Sequence, residues 1–274
     1  MDESPPIHSE DPTPEERFLV VHLIRKLQNY APLSEEERSA LQDLSNRRQR
    51  VLNSRDDVIA QGERPGFVNL VLEGFACRYK ILPDGRRQIL SFFIPGDLCD
   101  LHNEVLGVMD HSIGAISPLR IAQIGSDEIE AVMTRFPRLS RAFWWNELVG
   151  EAITREWLAN LGQRTGAERV AHLLCETFVR MRAIGLVDAA GACPFPITQA
   201  DLSDALGISI VHTNRMLQDL RAEGLIVLKG RALQVDDLGA LMRLANFEPS
   251  YLHLRRHDGE EAGDPAEMHR ETTA

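Results

Sequence analysis

Between Ser209 and Arg231 the chain carries His212, Asn214, Arg215 and Gln218, then Lys229 and Arg231. These side-chain types can read base edges and hold phosphates. A guanidinium donates two parallel hydrogen bonds to guanine O6 and N7, and a carboxamide pairs in two directions with adenine N6 and N7. Arg215 and Asn214 are therefore the candidates for base reading, with His212 and Gln218 in secondary roles. Thr198, Gln199 and Ser209 fall at helix-start positions, where free backbone N–H groups favour an anion such as a DNA phosphate. Lys229 and Arg231 flank Gly230 and suit contact with the phosphate backbone.

Such side chains read a duplex only when a helix carries them into the major groove. The stretch from Thr198 to Leu233, TQADLSDALGISIVHTNRMLQDLRAEGLIVLKGRAL, supplies that helix. Thr198 precedes a short helical pattern with Leu202 and Leu206 on one face, and its hydroxyl can cap free N–H groups. Gly207 stands where a tight turn needs positive φ. A second helix follows with Ser209 as cap and Thr213, Met216, Leu217 and Leu220 inward. That leaves Ile210, Val211, His212, Asn214, Arg215 and Gln218 outward. Gly224 ends the helix, and LIVLKGRALQV reads as two short strands around a basic tip. An ordinary helical subdomain would need none of these signals to agree, so a helix-turn-helix with a wing is predicted.

A chain of 274 residues with 43% hydrophobic and 26% charged residues has the composition of a soluble two-domain protein. Apolar runs such as ILSFFIP are too short to cross a bilayer, and no signal peptide opens the sequence, so a cytoplasmic location is expected. Cys77, Cys99, Cys175 and Cys193 lack CxxC spacing, which predicts buried thiols and no metal site. The net charge of −11 opposes binding to phosphates in bulk. Between Gly207 and Arg231, however, Arg215, Arg221, Lys229 and Arg231 face only Asp219 and Glu223.

Residues 1–16 are rich in Pro, Glu and Asp and read as a disordered lead. Helical patterns follow from Arg17 to about Tyr30 and from Ser34 to Leu44, the second opening on a Ser34/Glu37 capping box. From about Arg47 to Ile124, short strands broken by turns predict an antiparallel barrel or sandwich, with Pro83-Asp84-Gly85 as a hairpin turn. A helix start at SDEIE precedes a break at Pro137. The longest helix is then expected from Leu139 to about Leu161, closed by Gly162. Trp145, Val149, Ile153, Trp157 and Leu161 recur on it every four residues, a stripe suited to packing on another helix, with covering of the protein's own barrel as the alternative. A further helix spans Gly166 to about Ala183. The expected division is thus a sensor domain over 17–137, a long helix over 138–162, a winged domain over 163–248 and a disordered tail over 249–274.

This α+β order of barrel, long helix and winged helix-turn-helix resembles the Crp/Fnr superfamily of bacterial transcription regulators. The likeness is carried by ILPDGRRQILSFFIPGDL, GAERVAHLL and ITQADLSDALGISIVHTNRMLQDLRAEGLI, and covers residues 18–247. It implies a jelly-roll sensor, a homodimer seam along the long helix at Trp145, Val149, Ile153, Trp157 and Leu161, and an activator that touches RNA polymerase. It also implies two reading helices one turn of DNA apart on a near-palindromic site. Arg215 matches an arginine that many members use to read bases, whereas Val211 stands where they carry a glutamate, so a different half-site is expected.

Cyclic-nucleotide-binding members hold the phosphate with a Gly-Glu turn and a later Arg-Ser/Thr pair. Here the turn is Gly96-Asp97, and no arginine lies between Arg87 and Arg120. Cyclic nucleotide is therefore not expected, because a buried phosphodiester needs a cation. An iron–sulfur cluster of the N-terminal cysteine type is excluded, since residues 1–30 hold no cysteine. Cys99, His102 and His111 lie where effectors act in relatives, and His102 stands six residues after Gly96, the spacing of haem-binding members. Haem ligation or a redox-active thiol is one reading of these residues. A hydrogen-bonded histidine at the barrel–helix junction is the plainer one, and with it no cofactor is expected. An enzyme is not expected either, because neither His111/Ser112 nor Asp97/His102 has a third orienting group. The remaining alternative is a ligand-sensing module for protein contacts, against which Arg215, Lys229 and Arg231 count.

Overall fold

The computed structural model describes residues 20–255, apart from 47, 102–104 and 106. Helix α1 (Val21–Gln28) buries Leu23, Ile24 and Leu27, and α2 (Glu35–Asn46) starts on the predicted capping box. Ser34 N donates to Glu37 Oε2 at 2.8 Å, and Glu37 N donates to Ser34 Oγ at 3.2 Å. The strands β1 (Gln49–Leu52), β2 (Asp57–Ile59), β3 (Val68–Glu73), β4 (Ala76–Ile81), β5 (Arg87–Phe93), β6 (Leu98–Cys99), β7 (Ser112–Ala115) and β8 (Leu119–Ile124) follow. They form two antiparallel four-stranded sheets, ordered β1-β8-β3-β6 and β2-β7-β4-β5. The jelly-roll expectation matches this two-sheet roll. Its turn at Pro83-Asp84-Gly85 joins β4 to β5, with Ile81 opposite Arg87.

Helix α3 (Ser126–Arg135) begins where Gly125 N donates to Glu128 Oε2 at 2.9 Å. The long helix α4 (Pro137–Gln163) starts on Pro137, whose missing N–H costs nothing in a first turn. It runs through Gly162 rather than stopping there, since one glycine near a helix end costs only about 1 kcal/mol. Helix α5 (Gly166–Ala183) has the predicted bounds, and Thr165 caps it through Glu168. The winged unit consists of β9 (Ala192–Pro194), α6 (Gln199–Leu206), α7 (Ile210–Ala222), β10 (Val227–Lys229), β11 (Ala232–Gln234) and α8 (Leu238–Ala245).

Three expectations need correction. Residues 249–255 are not a loose tail: Pro249–Leu252 form a 3-10 turn, and Leu252 is buried. Tyr251 OH donates to Glu176 Oε2 at 2.9 Å, and Arg255 Nη2 donates to Tyr30 O at 2.6 Å. The acidic lead and residues 256–274 lie outside the described residues. Within the 184–196 loop, β9 pairs with β11, a strand too short to carry a periodic signal.

The largest correction concerns α4. Val149, Ile153 and Trp157 point into their own chain, packed in one cluster with Phe92, Ile94 and residues of α5. Trp157 meets Phe92 edge-on at 5.8 Å, and its Nε1 donates to the Glu176 carboxylate at 3.2 Å. Trp145 lies 6.2 Å from the Tyr30 ring, and Leu161 is half-buried near Gly207. The four-residue stripe therefore covers the roll and α5. The exposed row is the neighbouring one: Trp144, Leu148, Glu151, Arg155 and Leu158.

His172 on α5 is buried, stacked on Tyr251 at 6.1 Å and edge-on to Phe247 at 4.9 Å. Its Nε2 is 3.2 Å from Glu156 Oε1, and Glu156 also binds Arg164 at 2.7 Å. Burial and the Arg164 charge together outweigh Glu156 and pull the imidazole down to about 4. A base depressed in this way contributes stability that is fully present above its unfolded value near 6.5 and lost as pH falls toward 4. The melting temperature is therefore expected to drop between those two pH values, and His172→Leu to flatten that slope. Scanning calorimetry of both proteins across the window checks this, and an unchanged slope counts against it.

Candidate nucleic-acid interface

The reading unit is built from its caps upward. Thr198 Oγ1 accepts from Asp201 N at 3.1 Å, and Asp201 Oδ2 accepts from Thr198 N at 3.1 Å, closing a capping box on α6. Gly207 ends α6 at φ 63°, in the left-handed region where a side chain would be strained. Ser209 then caps α7 by accepting from His212 N at 3.2 Å. Thr213, Leu217 and Leu220 fill the space against α5 and α6 as predicted, with Thr213 fully buried. Fixing three residues of one face in this way sets the rotation of α7 and so decides what it presents to solvent.

Val211, Arg215 and Gln218 are exposed, together with Ile210. His212 is half-buried against Gly166, where an added methyl would lie 2.4 Å from its Nε2. Arg215 Nη2 donates to His212 Nδ1 at 2.7 Å, which holds the guanidinium against the start of α7. Asn214 is half-buried and donates to Gln199 Oε1 at 3.0 Å, so these two predicted contacts engage each other. The wing is a three-stranded sheet, β10-β11-β9. Its tip is a two-residue loop with Gly230 at φ 60° and Arg231 at φ 63°, the type I′ geometry of tight hairpins. Lys229 and Arg231 are exposed there. A cleft between wing and α6 is lined by Thr198, Gln199, Arg221, Lys229 and Arg231, three cations beside a helix start. That composition suits a phosphate.

Of the candidate sensor residues, Cys99 and His111 follow the plainer expectation of a buried thiol and a hydrogen-bonded histidine. Cys99 is buried, and burial followed by the charges of Asp100 and Asp97 pushes its thiol well above the usual range. Such a thiol is a poor iron ligand or nucleophile. His102 lies outside the described residues. His111 is held between two carboxylates, with Nδ1 2.6 Å from Asp110 Oδ1 and Nε2 2.8 Å from Asp100 Oδ2. Arg78 reaches the same place from β4: its Nε is 3.2 Å from His111 Nε2, and its Nη2 pairs with Asp100. Burial raises the Asp100 carboxyl, but the His111 hydrogen bond and the Arg78 charge outweigh it and hold it low. Sequence reasoning missed Arg78 and Asp100, because β4 and the Gly96 turn meet only in the folded roll.

The Gly96-Asp97 turn likewise faces inward. Asp97 accepts from Lys26 Nζ and Arg180 Nη2, each at 2.7 Å, and from Ile94 N at 2.8 Å. Its carboxyl is held low despite full burial because Lys26 and Arg180 outweigh the desolvation. The Asp97 carboxylate is thus taken up by α1 and α5, while Arg78, which the sequence spacing did not place here, stands with two carboxylates around His111. Among the described residues there is no cluster of ligating side chains that could hold a metal ion, and no helix is long and apolar enough to cross a membrane. A cleft lies between the roll and α4, lined by Arg78, Ser91, Asp97, Asp100, Asn146 and Val149, so it opens onto both carboxylates. The roll also touches the reading unit directly. Arg87 Nε donates to Asp204 Oδ2 at 2.8 Å, Arg87 Nη2 pairs with Asp201, and Gln88 Nε2 donates to Ala205 O at 3.3 Å.

Two family models match: the Crp-like helix-turn-helix domain over residues 168–244 and the cyclic nucleotide-binding domain over residues 49–136. The nitrogen fixation regulation protein FixK of Bradyrhizobium diazoefficiens is 32% identical over 58% of this chain, a match spanning 65% of that protein, just under two thirds. The transcriptional activator protein FnrL of Cereibacter sphaeroides is 28% identical over 69% of this chain and 76% of its own length. The solved structure of FixK2 from Bradyrhizobium japonicum superposes with a TM-score of 0.63 at 25% identity, over 72% of this chain and 96% of that one. With both domains matched in this order, and regulators of this kind among its relatives, the chain belongs to the Crp/Fnr superfamily of bacterial transcription regulators.

Proposed function

We propose that the protein is a sequence-specific DNA-binding activator that works as a homodimer on a near-palindromic promoter site. The observation that carries this reading is the exposed face of α7, where Arg215 stands one turn beyond Val211 on a doubly capped helix-turn-helix. Arg215 reads a guanine, while Lys229, Arg231, Thr198 and Ser209 hold the backbone. Asn214 and Gln199 act as a hydrogen-bonded pair beside them, with Gln218 and His212 in supporting roles. Contact with RNA polymerase rests on the likeness to FnrL, a named transcriptional activator.

The seam that joins two copies is the exposed row of α4. Trp144, Leu148, Glu151, Arg155 and Leu158 follow spacings of four, three, four and three, the seam pattern of paired helices. A signal enters at the cleft between the roll and α4, or at the Asp100–His111 cluster, and changes how these helices pack. Asp97–Arg180 and Arg87–Asp204 then pass the change to α5 and α6. No haem, cyclic nucleotide or metal is part of this reading. No catalytic step is proposed either, since Ser112 Oγ is taken by Gln61 N at 2.9 Å and Asp97 by its two cations.

Arg215→Ala is expected to cost about 1–3 kcal/mol of binding and to relax one base position per half-site. Selection from a random duplex pool checks this, and unchanged affinity with unchanged preference rejects the assignment. Lys229→Ala should weaken binding evenly across sequences and reduce the salt slope by about one, measured by anisotropy over a salt series. Leu148→Glu should sediment as a folded monomer and bind the site about 100-fold or more weakly, through loss of the second half-site. Ile153→Glu should instead lower the melting temperature, because it buries a charge inside one chain. An intact Leu148→Glu dimer would exclude this seam.

A further inference from the structure

Helix α7 opens with two β-branched apolar residues in solvent, Ile210 at 53% and Val211 at 81% exposure. Single apolar side chains on a surface are ordinary, so exposure alone assigns nothing. Position adds the rest. Val211 lies in the first turn of the helix, the part that meets base edges when a reading helix enters the major groove. Arg215 is four residues on, on the same face, and its guanidinium is drawn back toward that first turn by the 2.7 Å bond to His212. Val211 and Arg215 therefore form one small surface, half apolar and half cationic, at the start of a row that Asp219 continues one turn beyond Arg215.

An isopropyl group can neither donate to nor accept from a base. The one apolar feature in the major groove is the 5-methyl group of thymine. Cytosine presents an amino group at the corresponding edge, and a valine set against it would leave that donor dehydrated and unpaired. Four residues of helix advance about 6 Å, roughly two base-pair steps. We propose that Val211 is a specificity-determining residue that selects thymine by its methyl group, within two base pairs of the guanine read by Arg215. This rests on the DNA-reading function proposed above and adds to it the chemical feature that is read.

The test uses the full-length protein and the duplex that it enriches from a random pool. Each thymine of the half-site is replaced in turn by deoxyuridine, which removes the methyl and changes no hydrogen bond. One position, within two base pairs of the one that Arg215→Ala relaxes, should lose about fourfold in affinity per half-site, the value of one buried methyl-sized group. In Val211→Ala the same replacement should have no effect, and in Ile210→Ala it should keep its effect. Val211 is exposed, so Val211→Ala should retain the wild-type melting temperature. A half-site in which no deoxyuridine weakens binding overturns the inference while leaving DNA reading intact, as does a loss that persists in Val211→Ala or vanishes only in Ile210→Ala. Failure to enrich any sequence overturns the DNA-reading function and this inference together.

Discussion

The carboxylate of Asp97 is the point on which the two halves of the chain meet. It is completely buried at the end of a tight turn in the roll, and it binds Lys26 of α1 and Arg180 of α5 at 2.7 Å each. Arg180 is itself half-buried, donates to Phe92 O, and lies 3.5 Å from Glu176. Glu176 in turn accepts from Trp157 on the long helix and Tyr251 on the last turn. One connected ionic network thus touches α1, the roll, α4, α5 and the C-terminal turn. Removing one member of such a network leaves an uncompensated buried charge, at a cost of about 3–5 kcal/mol. Apolar packing around it could be exchanged far more cheaply.

This junction makes the protein mechanically different from two domains on a linker. Helix α5, which leads into the winged unit, is bonded through Arg180 to the Gly96-Asp97 turn. The β4–β5 hairpin reaches past it to α6 through Arg87, and Asp201 serves both Arg87 and the Thr198 cap. A shift of the hairpin therefore acts on the N-terminus of α6 itself.

Much of the reading unit was legible because local chemistry fixes it. Thr198, Gly207 and Ser209 each do one thing a helix end requires, and the structure puts all three where the sequence predicts. The capping box of α2 and the bounds of α5 were readable for the same reason. The outward row of α4 was not. A row of Trp and Ile every four residues reports that a face is apolar, but not whether its partner is another copy or the same chain. Here Val149, Ile153 and Trp157 face inward, and a mixed row of Trp144, Leu148, Glu151, Arg155 and Leu158 faces out. Arg78 and Asp100 were missed for a different reason. Arg78 lies on β4, Asp100 just after β6 and His111 just before β7, and no spacing links the three. Asn214 looked free in the helix register, but Gln199 of the preceding helix occupies it.

The outward row of α4 is apolar at its two ends and ionic in the middle, where Glu151 and Arg155 stand one turn apart. Leucines there would pair with almost any amphipathic helix. A carboxylate and a guanidinium must instead meet their complements in one register, and a mismatched partner strands a charge in the contact. A bacterium that makes several regulators of this build needs each to find its own copy. In the homodimer proposed above, the ionic step is the identity check, giving up some adhesion for fidelity of pairing.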